Sequence, residues 1–206
     1  MNYLVVDFEF TMWAYGNPRV WFPEIIEVGA IVVDHKGNPM GLPYSAFTKP
    51  RLWPRITDEC FGITGIRQKD IEDGIPLENA LYKLQNMAKS ENITLVAWGN
   101  EDRKVLSRVC EKYGLSYPFT YENYVDLALS YRNHQNLKNH ASLKRAIESS
   151  EIEMSGIQHS AMDDAINAAL VMKKMISDGW KIEEAIAENH NSINPSKLAF
   201  NIPVAV

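Results

Sequence analysis

The sequence predicts an α/β fold: a mixed five-stranded sheet, opened by an antiparallel three-strand meander and completed by two further strands, with helices on both faces. Two observations carry this. Three β-rich runs follow one another between Tyr3 and Thr48 with only loops between them. Beyond them, apolar strand-like runs alternate with segments of helical periodicity. A meander followed by strand–helix–strand units closes as a mixed sheet covered by helices.

The first strand is Tyr3-Leu4-Val5-Val6-Asp7-Phe8-Glu9-Phe10-Thr11, an apolar run interrupted by two acids. Side chains alternate along a strand, so Asp7 and Glu9 share a face. A loop from Met12 to Pro23, broken by Gly16, Pro18 and Pro23, leads to a second strand at Glu24 to Asp34. His35 to Asn38 reads as a hairpin turn and Tyr44 to Thr48 as the third strand. Thr57 is the expected N-cap of a short helix running through Cys60 and ended by Gly62. A turn at Thr64-Gly65-Ile66 follows. Pro76 to Lys89 carries Leu77, Ala80, Leu81, Leu84 and Ala88 on one helical face, with the proline at the first position. Asn92 to Gly99 is a continuous apolar run suited to a buried strand.

Glu101 to Tyr113 is then helical, with Gly114 as its stop. A last short strand at Tyr124 to Leu127 passes into a helix through Tyr131. Further helices are predicted at Ser142 to Glu148 and at Ala161 to Ile176. The second would be anchored to the sheet by Ile166, Ala169, Leu170 and the run from Met172 to Met175. Ile182 to Glu188 is a final amphipathic piece. Gly179 is the one plausible boundary, giving a domain over 1–178 and an extension over 179–206 that packs on or beside it.

A formal net charge of −5 argues against a polyanion binder held by a diffuse positive field. Three local basic groups (Lys49, Arg51 and Arg55; Arg103, Lys104 and Arg108; Lys138, Lys144 and Arg145) serve equally as phosphate contacts or as solvated faces. No apolar run approaches the roughly 18 residues of a membrane helix, so no membrane partner is expected. The chain enters its first strand by Tyr3, which leaves no room for a signal segment. Cys60 and Cys110 stand alone inside predicted helices without metal-ligand spacing, as buried thiols of a reducing, cytoplasmic compartment.

Asp7 and Glu9 have two readings. Two like charges in apolar company resist ionisation, and a divalent cation relieves both the desolvation and the repulsion. Alternatively they lie at an exposed strand end and face water. Asp102, at the handover from the fourth strand to a helix, sits where open α/β sheets place their sites. It is equally a first-turn acid favoured by the helix dipole behind an Asn100 cap. Ser160 and Asp163 have capping-box spacing at the start of the long helix, which occupies Asp163 and leaves Asp164 unexplained. His159 lies just outside that helix, free to reach towards the same site. His35, His134, His140 and His190 read as surface residues, and no zinc site is proposed.

Asp7-Phe8-Glu9-Phe10-Thr11 matches D-x-E-x-T, Trp98 to Asp102 resembles a second motif that supplies one Asp, and His159 to Ala165 fits H-x-A-x-x-D-A. In this order the three motifs resemble the DEDDh exonucleases of the ribonuclease-H-like superfamily. The Trp-Gly before Asp102, with Ile63-Thr64-Gly65-Ile66 between motifs, is similar to the Eri-type exoribonucleases and the bacterial KapD-like proteins. The resemblance covers residues 2 to 178.

It implies a ribonuclease-H-like fold and a metal-dependent 3′–5′ exonuclease that releases 5′-mononucleotides from single-stranded RNA or short RNA or DNA 3′ ends. Two Mg²⁺ or Mn²⁺ ions would be held by Asp7, Glu9 and Asp164, with Asp102 completing the second through water, and His159 would be the general base. Phe10, Thr11 and Met12 would contact the terminal sugar, Ile63, Thr64 and Gly65 would close over its base, and Trp98 would either stack or belong to the core. RNA is favoured over DNA as the partner. The competing readings are a DNA-directed proofreading or repair exonuclease and a regulatory nucleic-acid-binding protein with the same fold but no turnover.

Overall fold

The computed structural model describes residues 2–13, 19–88, 93–119 and 123–186. At its centre is the expected mixed sheet, with strand order β3-β2-β1-β4-β5. The strands are β1 (Tyr3–Phe10), β2 (Ile25–Val33), β3 (Tyr44–Phe47), β4 (Thr94–Ala97) and β5 (Tyr124–Asp126). β1, β2 and β3 form the antiparallel meander, and β4 and β5 continue from β1 in parallel. The helices are α1 (Asp58–Thr64), α2 (Gln68–Glu72), α3 (Leu77–Met87), α4 (Glu101–Tyr113), α5 (Leu127–His134), α6 (Leu143–Ser149) and α7 (Ala161–Ser177).

Strand alternation divides the core in two. Tyr3, Val5, Ile31, Val96 and Val125 face a cluster completed by α5, α6 and α7. Leu4, Val6, Phe8, Val28 and Leu95 face α3 and α4 on the other side. β1 is therefore covered on both faces, which is why it reads as a nearly unbroken apolar run. Asp7 and Glu9 continue the row of Tyr3 and Val5 and so look towards α7.

Several local expectations need correction. α1 runs through Gly62 and stops at Gly65, whose φ of 69° is the left-handed conformation of a helix C-cap. A glycine inside a helix costs only about 1 kcal/mol relative to alanine, too little to end one whose Thr57 cap, accepting from Cys60 N at 3.2 Å, is in place. Pro76 is the N-cap of α3 rather than its first residue. Asn100 is the N-cap residue of α4, its carbonyl accepting from Lys104 N at 3.2 Å, but its side chain makes no cap bond, and its Nδ2 donates to Asp126 Oδ2 at 2.8 Å. The buried stripe of α7 is Ala165, Ala168, Ala169, Met172 and Met175, with Ile166 partly buried against the same cluster, while Leu170 is half-exposed and outside it. Small residues face the sheet here because the helix lies very close to it.

Arg51, one of the basic candidates, is occupied. It pairs with Glu78 at 2.8 Å and lies over the Tyr113 ring. Beyond α7, Trp180, Ile182, Ala185 and Ile186 pack onto the cluster that α7 covers, and residues 182–186 are helical. The rest of the expected extension, 187–206, lies outside the described residues.

Candidate active site

β1 and β4 pair only as far as Val5 and Val96, and beyond that point they separate. The gap opens at the carboxyl ends of both strands, where parallel α/β sheets place ligands. Asp102, in the first turn of α4, reaches back across the gap, and Phe8 N donates to its Oδ1 at 3.0 Å. One hydrogen bond thus fixes the acid after β4 to the strand that carries Asp7 and Glu9.

α7 closes the third side. Its first residues rest on β2 at Gly29, where a Cβ would stand 2.0 Å from the Ala161 carbonyl carbon. Only glycine allows that approach. The capping box expected from Ser160 and Asp163 is not formed, since the Ser160 side chain makes no cap bond. Instead Glu27 Oε2, on β2, accepts from Ala161 N at 3.1 Å. Asp163 has a different structural partner, accepting from Ile157 N at 2.9 Å. Asp164 turns inward, and its Oδ2 accepts from His159 N at 2.9 Å.

That last contact corrects the idea of a freely reaching histidine. His159 has φ 64°, left-handed backbone that costs a non-glycine residue on the order of 1 kcal/mol or more. Its main chain is held by Asp164, and its side chain stays exposed at the cleft rim.

Glu9, His159 and Asp164 each offer a ligand atom within 4.8 Å of the others. Asp7, Trp98, Ile147, His159 and Asp164 line a cavity of about 220 Å³. A larger hollow of about 520 Å³, bounded by Val32, Met40, Leu42, Lys83 and Met87, contains neither acid nor histidine and lies apart from this chemistry. The carboxyls repel one another in poorly solvated surroundings. Burial pushes Asp7 well up, and the charges of Asp102, Glu9 and Asp164 add to it. Burial, with Asp164, Glu27 and Asp102, raises Glu9 to about 8. Burial raises Asp102 to about 7 despite the Phe8 hydrogen bond that opposes it. Asp164 is raised by burial as well. Oxygen donors that resist ionisation together, beside an imidazole, fit a hard divalent cation.

The structure therefore brings Asp7, Glu9, Asp102, His159 and Asp164 to one cleft. Trp98 has a double position. Its Nε1 donates to Ala141 O at 3.2 Å and its ring tilts on Tyr131 at 5.7 Å, yet it also lines the cavity. Thr11 is buried, with its hydroxyl accepting from Glu24 N at 2.9 Å. Phe10 and Met12 are half-exposed, and their carbonyls accept from Cys60 Sγ and Thr57 Oγ1, which ties them to α1. Ile63 is exposed on that helix, and Thr64 Oγ1 donates back to Cys60 O at 2.8 Å.

Sequence reasoning missed Glu27 and Gln158. Gln158 lines the cavity but carries no pattern that would mark it, while Lys144, named above among the basic groups, also lines it. Glu27 did carry a signal: it is an acid inside the most apolar strand, two positions before the glycine that receives α7.

Residues 4–172 match the Exonuclease family RNase_T. The chain is 33% identical to "Probable 3'-5' exonuclease KapD" of Bacillus subtilis over 182 residues, 88% of this chain and 87% of that protein. It is 31% identical to mouse "ERI1 exoribonuclease 2" over 97% of its own length, and spans 32% of that longer protein. Among solved structures it resembles the nuclease domain of 3'hExo, described as a DEDDh family member bound to rAMP. That match has a TM-score of 0.78 at 23% identity and covers 86% of this chain and 92% of that one. The fold expected from the motifs is thus the fold observed, and the chain belongs to the RNase_T exonuclease family.

Proposed function

We propose that the chain is a two-metal 3′–5′ exonuclease of single-stranded nucleic acid, RNA before DNA, releasing 5′-mononucleotides. The observation that carries this is the convergence of Glu9, His159 and Asp164 within 4.8 Å in a cleft that Asp7 also lines. The RNA preference is supported by the names of the relatives, which include an exoribonuclease. Two buried free thiols, Cys60 and Cys110, suit a reducing cytoplasmic setting. In this reading residues 1–178 carry the nuclease, and the extension begins by packing against α7.

Asp7, Glu9 and Asp164 would hold two Mg²⁺ or Mn²⁺ ions, with Asp102 contributing its second oxygen through water. Ions bound there would supply neutralisation of the scissile phosphate and acidification of a water. His159, its main chain held by Asp164 and its imidazole exposed at the cleft, would take the proton from an attacking water. Trp98 and Ile147 give the cavity an apolar wall for the terminal base or sugar. Phe10, Thr11 and Met12, with Ile63, Thr64 and Gly65 across α1, would form the remainder of the nucleotide pocket.

Matched 5′-labelled RNA and DNA oligonucleotides, incubated with Mg²⁺, Mn²⁺ or EDTA, test the reading. Shortening from the 3′ end with mononucleotide release, faster on RNA and absent in EDTA, is expected. Shortening from the 5′ end, or undiminished activity in EDTA, would sink it. His159→Ala should lower kcat about 10²- to 10⁴-fold, the usual worth of a general base, while Mn²⁺ affinity measured by calorimetry stays within about threefold. Full activity would remove His159 from the proton transfer.

The acids also predict a pH-dependent stability. The folded carboxyls of Glu9 and Asp102, at about 8 and about 7, bind protons more tightly than in the unfolded chain. Folded protein then holds more protons between the ordinary carboxylate range and pH 8. Stability is full below that window and is lost as pH rises through it. In EDTA, melting temperature should fall by about 10 °C from pH 5 to pH 8, a loss on the order of 3–6 kcal/mol. Mg²⁺ or Mn²⁺ should restore most of it at pH 8. A flat melting profile in EDTA would show that the four acids do not share one desolvated cluster.

A further inference from the structure

We propose that Glu27 is a positioning residue for this active site: a helix cap delivered across the sheet, which sets His159 and Asp164 against Asp7 and Glu9. The inference rests on the reading of those four residues as the reacting centre.

Four observations support it. Ala161 N, the first amide of the 17-residue α7, donates to Glu27 Oε2 at 3.1 Å, across 134 residues of chain. Ser160, the N-cap residue, whose hydroxyl would serve the next amides of the turn, makes no side-chain cap bond, so the side-chain acceptor seen at this helix end comes from Glu27. Glu27 lies directly opposite Glu9 in the β1–β2 ladder, so the residue that receives the helix is paired with a residue of the cluster. Two residues along the same face, Gly29 leaves room for the Ala161 backbone, and together the two positions fix both the height and the direction of the helix end.

Placing Glu27 opposite Glu9 is costly in itself, because like charges facing each other across strands are destabilising. The 5% exposure of Glu27 makes that cost larger. A carboxylate there is explained by what it receives. A helix N-terminus carries a partial positive charge and unpaired amides, and an acid at that end satisfies both. The other oxygen, Oε1, accepts from Ser45 Oγ at 3.3 Å, which steadies the carboxylate from β3. His159 is two residues before Ala161 and Asp164 three after it, so any displacement of this amide is passed directly to both. A misplacement of about 1 Å in a reacting constellation costs up to roughly 10²-fold in rate.

The test compares Glu27→Ala with Glu27→Gln. Glutamine keeps an acceptor for Ala161 N and discards the charge, whereas alanine discards both. Glu27→Ala should lower kcat at least tenfold on a single-stranded RNA oligonucleotide, with KM within about threefold of wild type. Glu27→Gln should keep kcat within about threefold. If the alanine variant does not fold, Glu27→Asp, which withdraws the acceptor by one methylene, takes its place with the same expected loss.

Amide exchange over residues 161–164 is read in parallel and needs no turnover. It should accelerate in the alanine or aspartate variant and stay near wild type in the glutamine one. Wild-type kcat in the acceptor-deficient variant would overturn the proposal, as would a glutamine variant as inactive as alanine, since charge and not placement would then be the requirement. Wild-type protein inactive on every strand would instead defeat the nuclease reading, while the exchange experiment would still decide how Glu27 holds the helix.

Discussion

Asp7→Asn should abolish hydrolysis while leaving the protein folded and, in EDTA at pH 8, more stable than wild type. The two effects come from one cause. Asp7 shares its cleft with Asp164 and His159, and the charges of Asp102, Glu9 and Asp164 all oppose its ionisation. In the metal-free protein its negative charge therefore works against folding at any pH above its unfolded value. Asparagine has the same shape and no charge, so the repulsion disappears. It is also a far weaker ligand for a hard cation, which needs the charge as well as the oxygen. With several kcal/mol of metal-derived stabilisation gone from the transition state, kcat should fall at least about 10⁴-fold. The check is a pair of measurements on one preparation: nuclease rate with Mn²⁺, and thermal unfolding in EDTA. Residual activity within tenfold of wild type would take Asp7 out of the metal set. Lower stability in EDTA would show that its carboxylate is already satisfied without a cation.

The parts of the site that could be read from the sequence are those whose chemistry sits at fixed spacing along an element. Asp7 and Glu9 alternate on one strand, and strand geometry alone puts them on one face. Asp102 follows a buried strand at its carboxyl end, and topology then brings that end beside β1. Contacts that join distant segments were not legible. Glu27 caps a helix that begins 134 residues later, and no local pattern encodes that pairing. The Ser160–Asp163 capping box misled for another reason: the Ser160 amide donates to Ile157 O and the Asp163 carboxylate accepts from Ile157 N, so the preceding loop takes the groups that the box would have joined. The α7 stripe is offset as well. Leu170 is expected to anchor the helix but is half-exposed, while Ala165, Ala168 and Ala169 are buried and Ile166 packs at the cluster's edge. Trp98 shows a further limit, since a ring packed on Tyr131 also forms part of the cavity wall, and size alone does not separate those roles.

The adjacent acids Asp163 and Asp164 offer the sharpest contrast available at this site. Asp164→Ala should be inactive, with a kcat loss comparable to Asp7→Asn, whereas Asp163→Ala should keep kcat within about fivefold. Successive residues on a helix point about 100° apart, and here that rotation separates two environments. Asp164 faces Glu9 and the histidine, with one oxygen on His159 N. Asp163 faces the preceding loop and holds Ile157 N at 2.9 Å in an exposed setting. Removing it forfeits one hydrogen bond at the surface, about 1 kcal/mol of stability, and leaves the His159 main chain held by Asp164. Removing Asp164 eliminates a carboxylate of the cluster and also releases the left-handed backbone of His159, so two parts of the machinery are lost at once. Steady-state rates and urea midpoints for the two variants decide the matter. An inactive Asp163→Ala beside a fully active Asp164→Ala would mean that the third motif is aligned one residue out and that the helix end is rotated from the position described.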